Sequence, residues 1–278
     1  MCHIFADDTK VYNTSDNREK LQKDLDNLKH WSETWQLYFN RSKCKCLYYG
    51  RNNPEEKYFF YSSNGPEPIG KGTEEKDLGV TFDPSLKFNK HINTVVNKAN
   101  GTLGLIRRNF KFIDKDIFLK LYKALVRPHL EYGQTIWYPY LKKQSTALEN
   151  VQRRATKLVT SIANLPYSKR LKILKLPSLK YRRIRGDLIT VYNICKDSNF
   201  DKEESKLLKF SGTESTRGHD LKLFKESCKT DTRKFSFSQR VVSLWNALNT
   251  NTIHANNVNI FKKLLDENLV KYYYLYDE

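Results

Sequence analysis

The sequence predicts an α+β segment over residues 1–86 and a mainly α-helical remainder. Short runs of strand-forming residues, broken by Asp, Asn, Gly and Pro, fill the first segment around one long amphipathic helix. Past residue 86 the apolar residues recur instead at three- and four-residue intervals. Hydrophobic residues make up 39% and aromatic ones 13% of the 278 residues, enough to bury a core although mean hydropathy is -0.70.

Residues 2–14 read as a hairpin, with strand character at Cys2–Ala6, a polar Asp7-Asp8, and strand character again at Lys10-Val11-Tyr12. Asp16 with Glu19 three residues on resembles a capping box, and Leu21, Leu25, Leu28, Trp31 and Trp35 mark one face of the helix that follows. Strands are expected at Cys44–Gly50, Tyr58–Tyr61 and Lys76–Phe82, with turns at Asn52-Asn53-Pro54 and Asn64-Gly65-Pro66. Helices are expected at His91–Phe110, at Asp116–Arg127 with Pro128 as its stop, and along the stripe Leu148, Val151, Ala155, Leu158, Val159, Ile162. A short helix fits between Pro166 and Pro177, and a long one fits Leu179–Lys196. Residues 198–218 have linker composition, and helices at Ser238–Leu248 and Asn259–Val270 would form a small tail module at 219–278. The domain reading is therefore 1–86, a basic helical domain at 87–197, a linker and the tail.

The charge is concentrated. Residues 101–190 hold 20 Lys and Arg against 5 Asp and Glu, whereas residues 1–100 hold 15 against 14 and residues 191–278 hold 14 against 12. Solubility does not require nearly all of a +18 excess in one third of a chain. A surface that neutralises phosphates does require such clustering, because each cation that displaces condensed counterions adds affinity. Arg107 and Arg108, the group Arg153, Arg154 and Lys157, and the group Arg182, Arg183 and Arg185 are the candidate phosphate contacts. A solvated helix face is the alternative reading for each. Trp137, Tyr138 and Tyr140 read as core before stacking platforms.

Five cysteines form an odd set without framework spacing, so free thiols with no disulfide partner and an intracellular, non-secreted location in cytoplasm or nucleus are expected. No run approaches the length of a membrane span, no signal-peptide pattern opens the chain, and the six histidines are scattered. A zinc site, a nucleophile elbow and a glycine-rich phosphate loop all lack their spacing.

Asp7-Asp8 at a hairpin tip is the sharpest chemical feature. Adjacent carboxylates in apolar surroundings are tolerable only beside a cation, and flanking strand residues would position them to hold a divalent metal. Two metals can clamp the attacking and leaving oxygens of an in-line phosphoryl displacement. Alone, a four-residue match of this kind is more often an ordinary polar turn.

The downstream order adds to it. Phe5-Ala6-Asp7-Asp8-Thr9-Lys10 resembles the catalytic turn of non-LTR retrotransposon (LINE, jockey-like) reverse transcriptases. LDNLKHWSETW at Leu25–Trp35 resembles the palm helix that follows it, Phe39–Cys44 the next motif, and Leu78-Gly79-Val80 the primer-grip hairpin. Leu121–Gly133, Glu149–Val159 and Leu176–Leu188 resemble thumb and post-thumb signatures, and Thr216–Leu223 with Phe237–Leu248 is similar to the carboxy-terminal tail. The resemblance runs from residue 1 to about residue 265 and implies the end of a palm, then a thumb and a tail.

It further implies an RNA-directed DNA polymerase using Mg²⁺, with an RNA template and DNA primer, or an RNA–DNA duplex, as partners and no membrane. Asp7 would ligate the metal with Asp8 in support, and Phe5 would lie beside the primer terminus. Lys43 would approach the leaving pyrophosphate, and Leu78 and Gly79 would belong to the grip on the primer end. The first metal-binding carboxylate of such enzymes lies on an earlier strand, and nothing in the chain precedes Met1. The expectation is a fragment that does not polymerise DNA alone. A non-catalytic, basic, helical nucleic-acid-binding remnant is the alternative.

Overall fold

The computed structural model describes residues 2–14, 17–50, 52–62, 65–197, 207–211, 218–270 and 273. The chain divides into two compact units, Met1–Leu86 and Lys87–Glu278. The first mixes strands with one helix and the second is helical, an α+β arrangement in chain order.

In the first unit β1 (Cys2–Phe5) and β2 (Asp8–Val11) form an antiparallel hairpin in register Phe5↔Asp8 and Cys2↔Val11. The helix α1 (Arg18–Thr34) follows. Asp16, read as half of a capping box, lies outside the described residues, and the N-cap is Asn17, without a side-chain cap bond. Gln22 on α1 both donates to the Phe59 carbonyl, at 2.9 Å, and accepts from the Phe59 N–H, at 3.0 Å, which fastens the helix to β4 (Phe59–Ser62). The apolar stripe is covered over only part of its length. Leu21, Leu25 and Leu28 are half-buried, whereas Trp31 and Trp35 are exposed.

The strands are shorter than the pattern predicts. From Cys44–Gly50 only β3 (Lys45–Cys46) is strand, and it pairs in parallel with β6 (Gly70–Lys71), the exception among otherwise antiparallel pairs. Gly65 and Pro66, expected in a turn, open β5 (Gly65–Pro68) opposite β4. Pro lacks the ladder donor and is tolerated because β5 is an edge strand of a two-stranded sheet. The expected single strand Lys76–Phe82 is instead a hairpin, β7 (Glu75–Asp77) against β8 (Val80–Phe82). Leu78 and Gly79 both take positive φ, 43° and 84°, the pair of left-handed residues that a tight two-residue hairpin turn requires.

In the second unit α2 (Asn89–Asn109) buries Ile92, Val95, Ala99, Leu103 and Ile106. The helix α3 (Lys115–Leu121) passes through a π-turn at Tyr122–Val126 into α4 (Arg127–Glu131). Pro128 therefore does not stop the helix where the sequence rule places its end. The Arg127 N–H reaches back to the Tyr122 carbonyl, a widened turn that accommodates a residue with no N–H. The helix α5 (Lys142–Ala155) likewise ends earlier than its apolar stripe, which continues through two 3₁₀ turns at Thr156–Leu158 and Thr160–Ile162 on either side of an extended Val159. Trp137 is fully buried and donates to the Tyr132 carbonyl at 2.7 Å, as the core reading expects.

The helices α6 (Tyr167–Leu174) and α7 (Leu179–Lys196) fall where the prolines and periodicity place them. After α7 come α8 (Asp231–Lys234), α9 (Phe237–Arg240), α10 (Val242–Asn246), α11 (Thr250–Ile253) and α12 (Val258–Asn268). They do not enclose a core of their own. Leu188, Val191 and Tyr192 of α7 share one apolar cluster with Trp245, Phe261 and Leu265. Among the described residues all five cysteines are free, and no helix is long and apolar enough to cross a membrane.

Candidate active-site turn and basic helical face

In the first unit the β1–β2 hairpin turns on Ala6 and Asp7, so Asp7 sits at the tip and Asp8 opens β2. Ala6 takes a φ of 52°, a left-handed conformation that costs a residue with a Cβ about 1–2 kcal/mol. Strain of this kind concentrates at functional turns. Both carboxylates are exposed, as is Phe5 at 61%. Solvent can therefore stabilise the pair, and the expected apolar setting that would make a cation obligatory is not present within this unit.

The base of the hairpin is pinned. His3 and Tyr12 stack at 5.4 Å and share a 2.8 Å hydrogen bond between Nε2 and the phenol oxygen. Lys10, beside His3's strand position, forms an ion pair with Asp77 at the end of β7. One side chain thus ties the Asp7-Asp8 hairpin to the Leu78-Gly79 hairpin, two motifs separated by some seventy residues of sequence. Lys43 is different. It lies exposed in the 3₁₀ turn Arg41–Lys43, and no hydrogen bond or ion pair links it to the hairpin among the described residues.

Mg²⁺ demands near-octahedral oxygen coordination and is commonly held by one or two carboxylates plus phosphate oxygens and water. Among the described residues no group of three His, Cys, Asp or Glu side chains converges to hold a metal. Asp7 and Asp8 alone do not make a complete site.

In the second unit the basic residues separate into two populations. Arg107 and Arg108 in the last turn of α2, Arg154 at the end of α5 and Lys157 in the 3₁₀ turn after it are exposed. Arg154 donates to Asn100 Oδ1 at 2.9 Å, which brings the end of α5 against α2. Arg153 is half-buried, 5.0 Å from the Tyr167 ring. The second population turns inward. Arg182 forms a fork with Glu131, with Nη2 at 2.8 Å from Oε2. Arg185 forms another with Asp266 at 2.5 and 3.0 Å. Arg183 is 2% exposed and donates to Ser145 Oγ at 2.9 Å. In the folded chain these three, expected as phosphate contacts, bind the protein's own acceptors.

Three buried polar clusters account for motif residues that the spacing did not assign. Glu149 accepts from the Tyr167 hydroxyl at 2.5 Å and from the Leu179 N–H at 3.0 Å, and Gln152 donates to Tyr167 and to the Pro177 carbonyl while accepting from Tyr122. Burial raises the Glu149 carboxyl above its ordinary value, and the Tyr167 hydrogen bond opposes that. Asp187 receives two hydrogen bonds from Arg240, at 2.8 and 2.9 Å, and both side chains are buried. Arg240 also donates to the carbonyls of Thr135 and Phe235, and with Arg183 it flanks the Tyr138 ring. His219 is buried beside Trp245 and lies 3.2 Å from its carbonyl, away from any solvent-borne ligand. Asn246 donates to the Leu223 carbonyl and accepts from its N–H, at 2.8 and 2.9 Å. The signal for these partners was the recurrence of polar residues on apolar faces, which periodicity alone does not pair.

No family model matches the chain, and no solved structure matches it. An uncharacterized protein of Caenorhabditis elegans is 31% identical over 121 residues, 42% of this chain and 61% of that protein. The Drosophila melanogaster protein named "Probable RNA-directed DNA polymerase from transposon X-element" is 24% identical over 170 residues, 58% of this chain. The "RNA-directed DNA polymerase from mobile element jockey" of Drosophila funebris is 27% identical over 179 residues, 60% of this chain. The chain spans 18% of each of those two polymerases. With the motifs in the order given above, the chain is similar over more than half of its length to two RNA-directed DNA polymerases of mobile elements, X-element and jockey.

Proposed function

We propose that the chain is a portion of an RNA-directed DNA polymerase of a mobile element, with residues 1–86 as the latter part of a palm and residues 87–197 as a basic thumb, followed by a linker and tail. The observation that carries this is the pinned hairpin: a strained turn presents Asp7 and Asp8 to solvent, and Lys10 fastens it to the Leu78-Gly79 turn. A polymerase needs a carboxylate tip and a primer-positioning hairpin held in fixed relation, since a small displacement of reacting groups costs orders of magnitude in rate. In the complete enzyme Asp7 would ligate Mg²⁺ with Asp8 in support, once further oxygen donors completed the set, and Phe5 would lie beside the primer end. Lys43 would face the pyrophosphate. Two-metal nucleotidyl transfer belongs to that complete enzyme.

The partners follow from the same reading: an RNA template and DNA primer, or their duplex, on the face that carries Arg107, Arg108, Arg153, Arg154 and Lys157. An intracellular setting suits free thiols and a nucleic-acid ligand. Because no third His, Cys, Asp or Glu converges on Asp7 and Asp8 among the described residues, the chain alone is expected to be inactive. Primer extension on an RNA template with Mg²⁺ is the test. Incorporation that disappears in Asp7→Asn would overturn the inactivity, and retention of salt-dependent duplex binding without incorporation would support the reading.

The second reading is a non-catalytic nucleic-acid-binding remnant, favoured by the exposed population of cations in the second unit. The two separate on the hairpin. Asp7→Asn leaves a purely binding protein indifferent to Mg²⁺, whereas in the polymerase portion it weakens Mg²⁺-dependent protection of the hairpin amides from hydrogen exchange in the presence of a deoxynucleoside triphosphate.

A further inference from the structure

The connection between α2 and α3 holds an arrangement that the thumb assignment does not use. Phe112 is 85% exposed, the most solvent-exposed large apolar side chain among the described residues. Its position is not an accident of a loose loop. Phe110 ends α2 in extended conformation, Ile113 is buried in the core, and Asp114 caps α3 by accepting from the Ile117 N–H at 2.8 Å. With Ile113 directed inward, Phe112 is held in water by anchored backbone on both sides.

The charge close to it in sequence is predominantly positive. Arg107, Arg108, Lys111 and Lys115 are all exposed, and no hydrogen bond or ion pair engages them among the described residues. Of the two carboxylates beside them, Asp114 is occupied in capping and Asp116 lies exposed in the first turn of α3, so four cations stand against two acids. A planar apolar ring flanked in sequence by exposed cations complements a ligand with flat aromatic faces along an anionic backbone. Duplexes do not meet that description, because their bases already stack on one another. An unpaired strand does.

Resting on the nucleic-acid reading above, we propose that Phe112 is a stacking platform for a base of single-stranded RNA or DNA, with Arg107, Arg108, Lys111 and Lys115 contacting the flanking phosphates. The second unit would then hold an unpaired strand at this corner in addition to any duplex on its basic face.

The test uses the full chain and labelled oligo(rU), oligo(dT) and a blunt DNA duplex. Phe112→Ala is expected to weaken binding to the single strands roughly 5- to 150-fold, the range that one base–aromatic stack contributes, and to leave duplex affinity unchanged. Phe112→Leu, which keeps an apolar side chain and removes the ring, is expected to lose about as much as Phe112→Ala. Phe112→Trp is expected to keep affinity and to add fluorescence that either single strand quenches. A larger loss for oligo(rU) than for oligo(dT) would assign the strand as RNA, and the reverse as DNA. Single-strand affinity unchanged in Phe112→Ala, or restored by Leu, overturns the stack. So does a Phe112-dependent binding to phosphatidylserine vesicles in place of oligonucleotides. Failure of the reading beneath it looks different: the parent chain would then bind no nucleic acid with a salt dependence, and reversing Arg107 and Arg108 would change nothing.

Discussion

The buried pair of Asp187 and Arg240 gives a quantitative handle on the second unit. Arg240 makes two hydrogen bonds to Asp187 and one each to the carbonyls of Thr135 and Phe235, and its guanidinium lies 4.4 Å from the Tyr138 ring. Arg240→Met keeps most of the volume and removes all of these. It leaves a buried carboxylate without its partner, which costs about 3–5 kcal/mol. For a unit of the length Lys87–Glu278, each kcal/mol lowers the melting temperature by about 2–4 °C, so the midpoint is expected to fall by roughly 6–20 °C.

The pH dependence of that loss is the sharper signature. Burial raises the Asp187 carboxyl above its ordinary value of 3.8, and Arg240 pulls it back. Removing Arg240 lets it rise further. A carboxyl whose folded value exceeds its unfolded one binds more protons in the folded state, so stability increases as pH falls through that window. The Arg240→Met deficit is therefore largest above the folded value and shrinks as pH falls toward 3.8. Urea denaturation followed by far-UV circular dichroism over a pH series measures it, and Asp187→Asn in the Arg240→Met background is expected to recover most of the loss at neutral pH. A deficit under about 1 kcal/mol, typical of exposed ion pairs, or one flat in pH, would refute the burial argument.

Glu149→Ala is expected to destabilise the unit by roughly 1–3 kcal/mol for each of the buried donors it strands, the Tyr167 hydroxyl and the Leu179 N–H, with Glu149→Gln losing less; thermal melts compare the two. Burial holds His219 below the ordinary histidine value of 6.5, so its contribution to stability is complete above 6.5 and is lost as pH falls below it. His219→Asn is expected to flatten that part of the stability curve. Reversing the exposed Arg107 and Arg108 together is expected to reduce the slope of log affinity for nucleic acid against log salt by about 2, one for each lost phosphate contact. Arg183→Ala is expected to leave that slope alone and lower stability instead, because it is buried against Ser145.

The helices were legible wherever packing followed the local pattern. The boundaries of α7 coincide with those read from Leu179–Lys196, since an apolar stripe, a Ser178 cap and a preceding Pro177 all act within one turn of chain. The strands were less legible. Lys76–Phe82 carries a continuous strand signal, yet Leu78 and Gly79 reverse it, because turn formation depends on two left-handed dihedrals that side-chain alternation does not encode. Pro128 failed as a stop signal for a similar reason: a π-turn upstream removed the need for its N–H.

By itself the sequence determined the order of motifs, the placement of the Asp7-Asp8 tip between two strands, and the concentration of positive charge in residues 101–190. Those are properties of neighbouring residues and of composition. Only the tertiary structure decided which cations face water. Arg240 meets its carboxylate 53 residues away and Arg185 meets Asp266 across 81, whereas Arg107 and Arg108 meet none among the described residues. Helical spacing states whether a side chain lies on the polar side of its own helix. Whether that side faces solvent or another helix's carboxylate is fixed by long-range packing, so the two kinds of arginine look alike until the chain is folded.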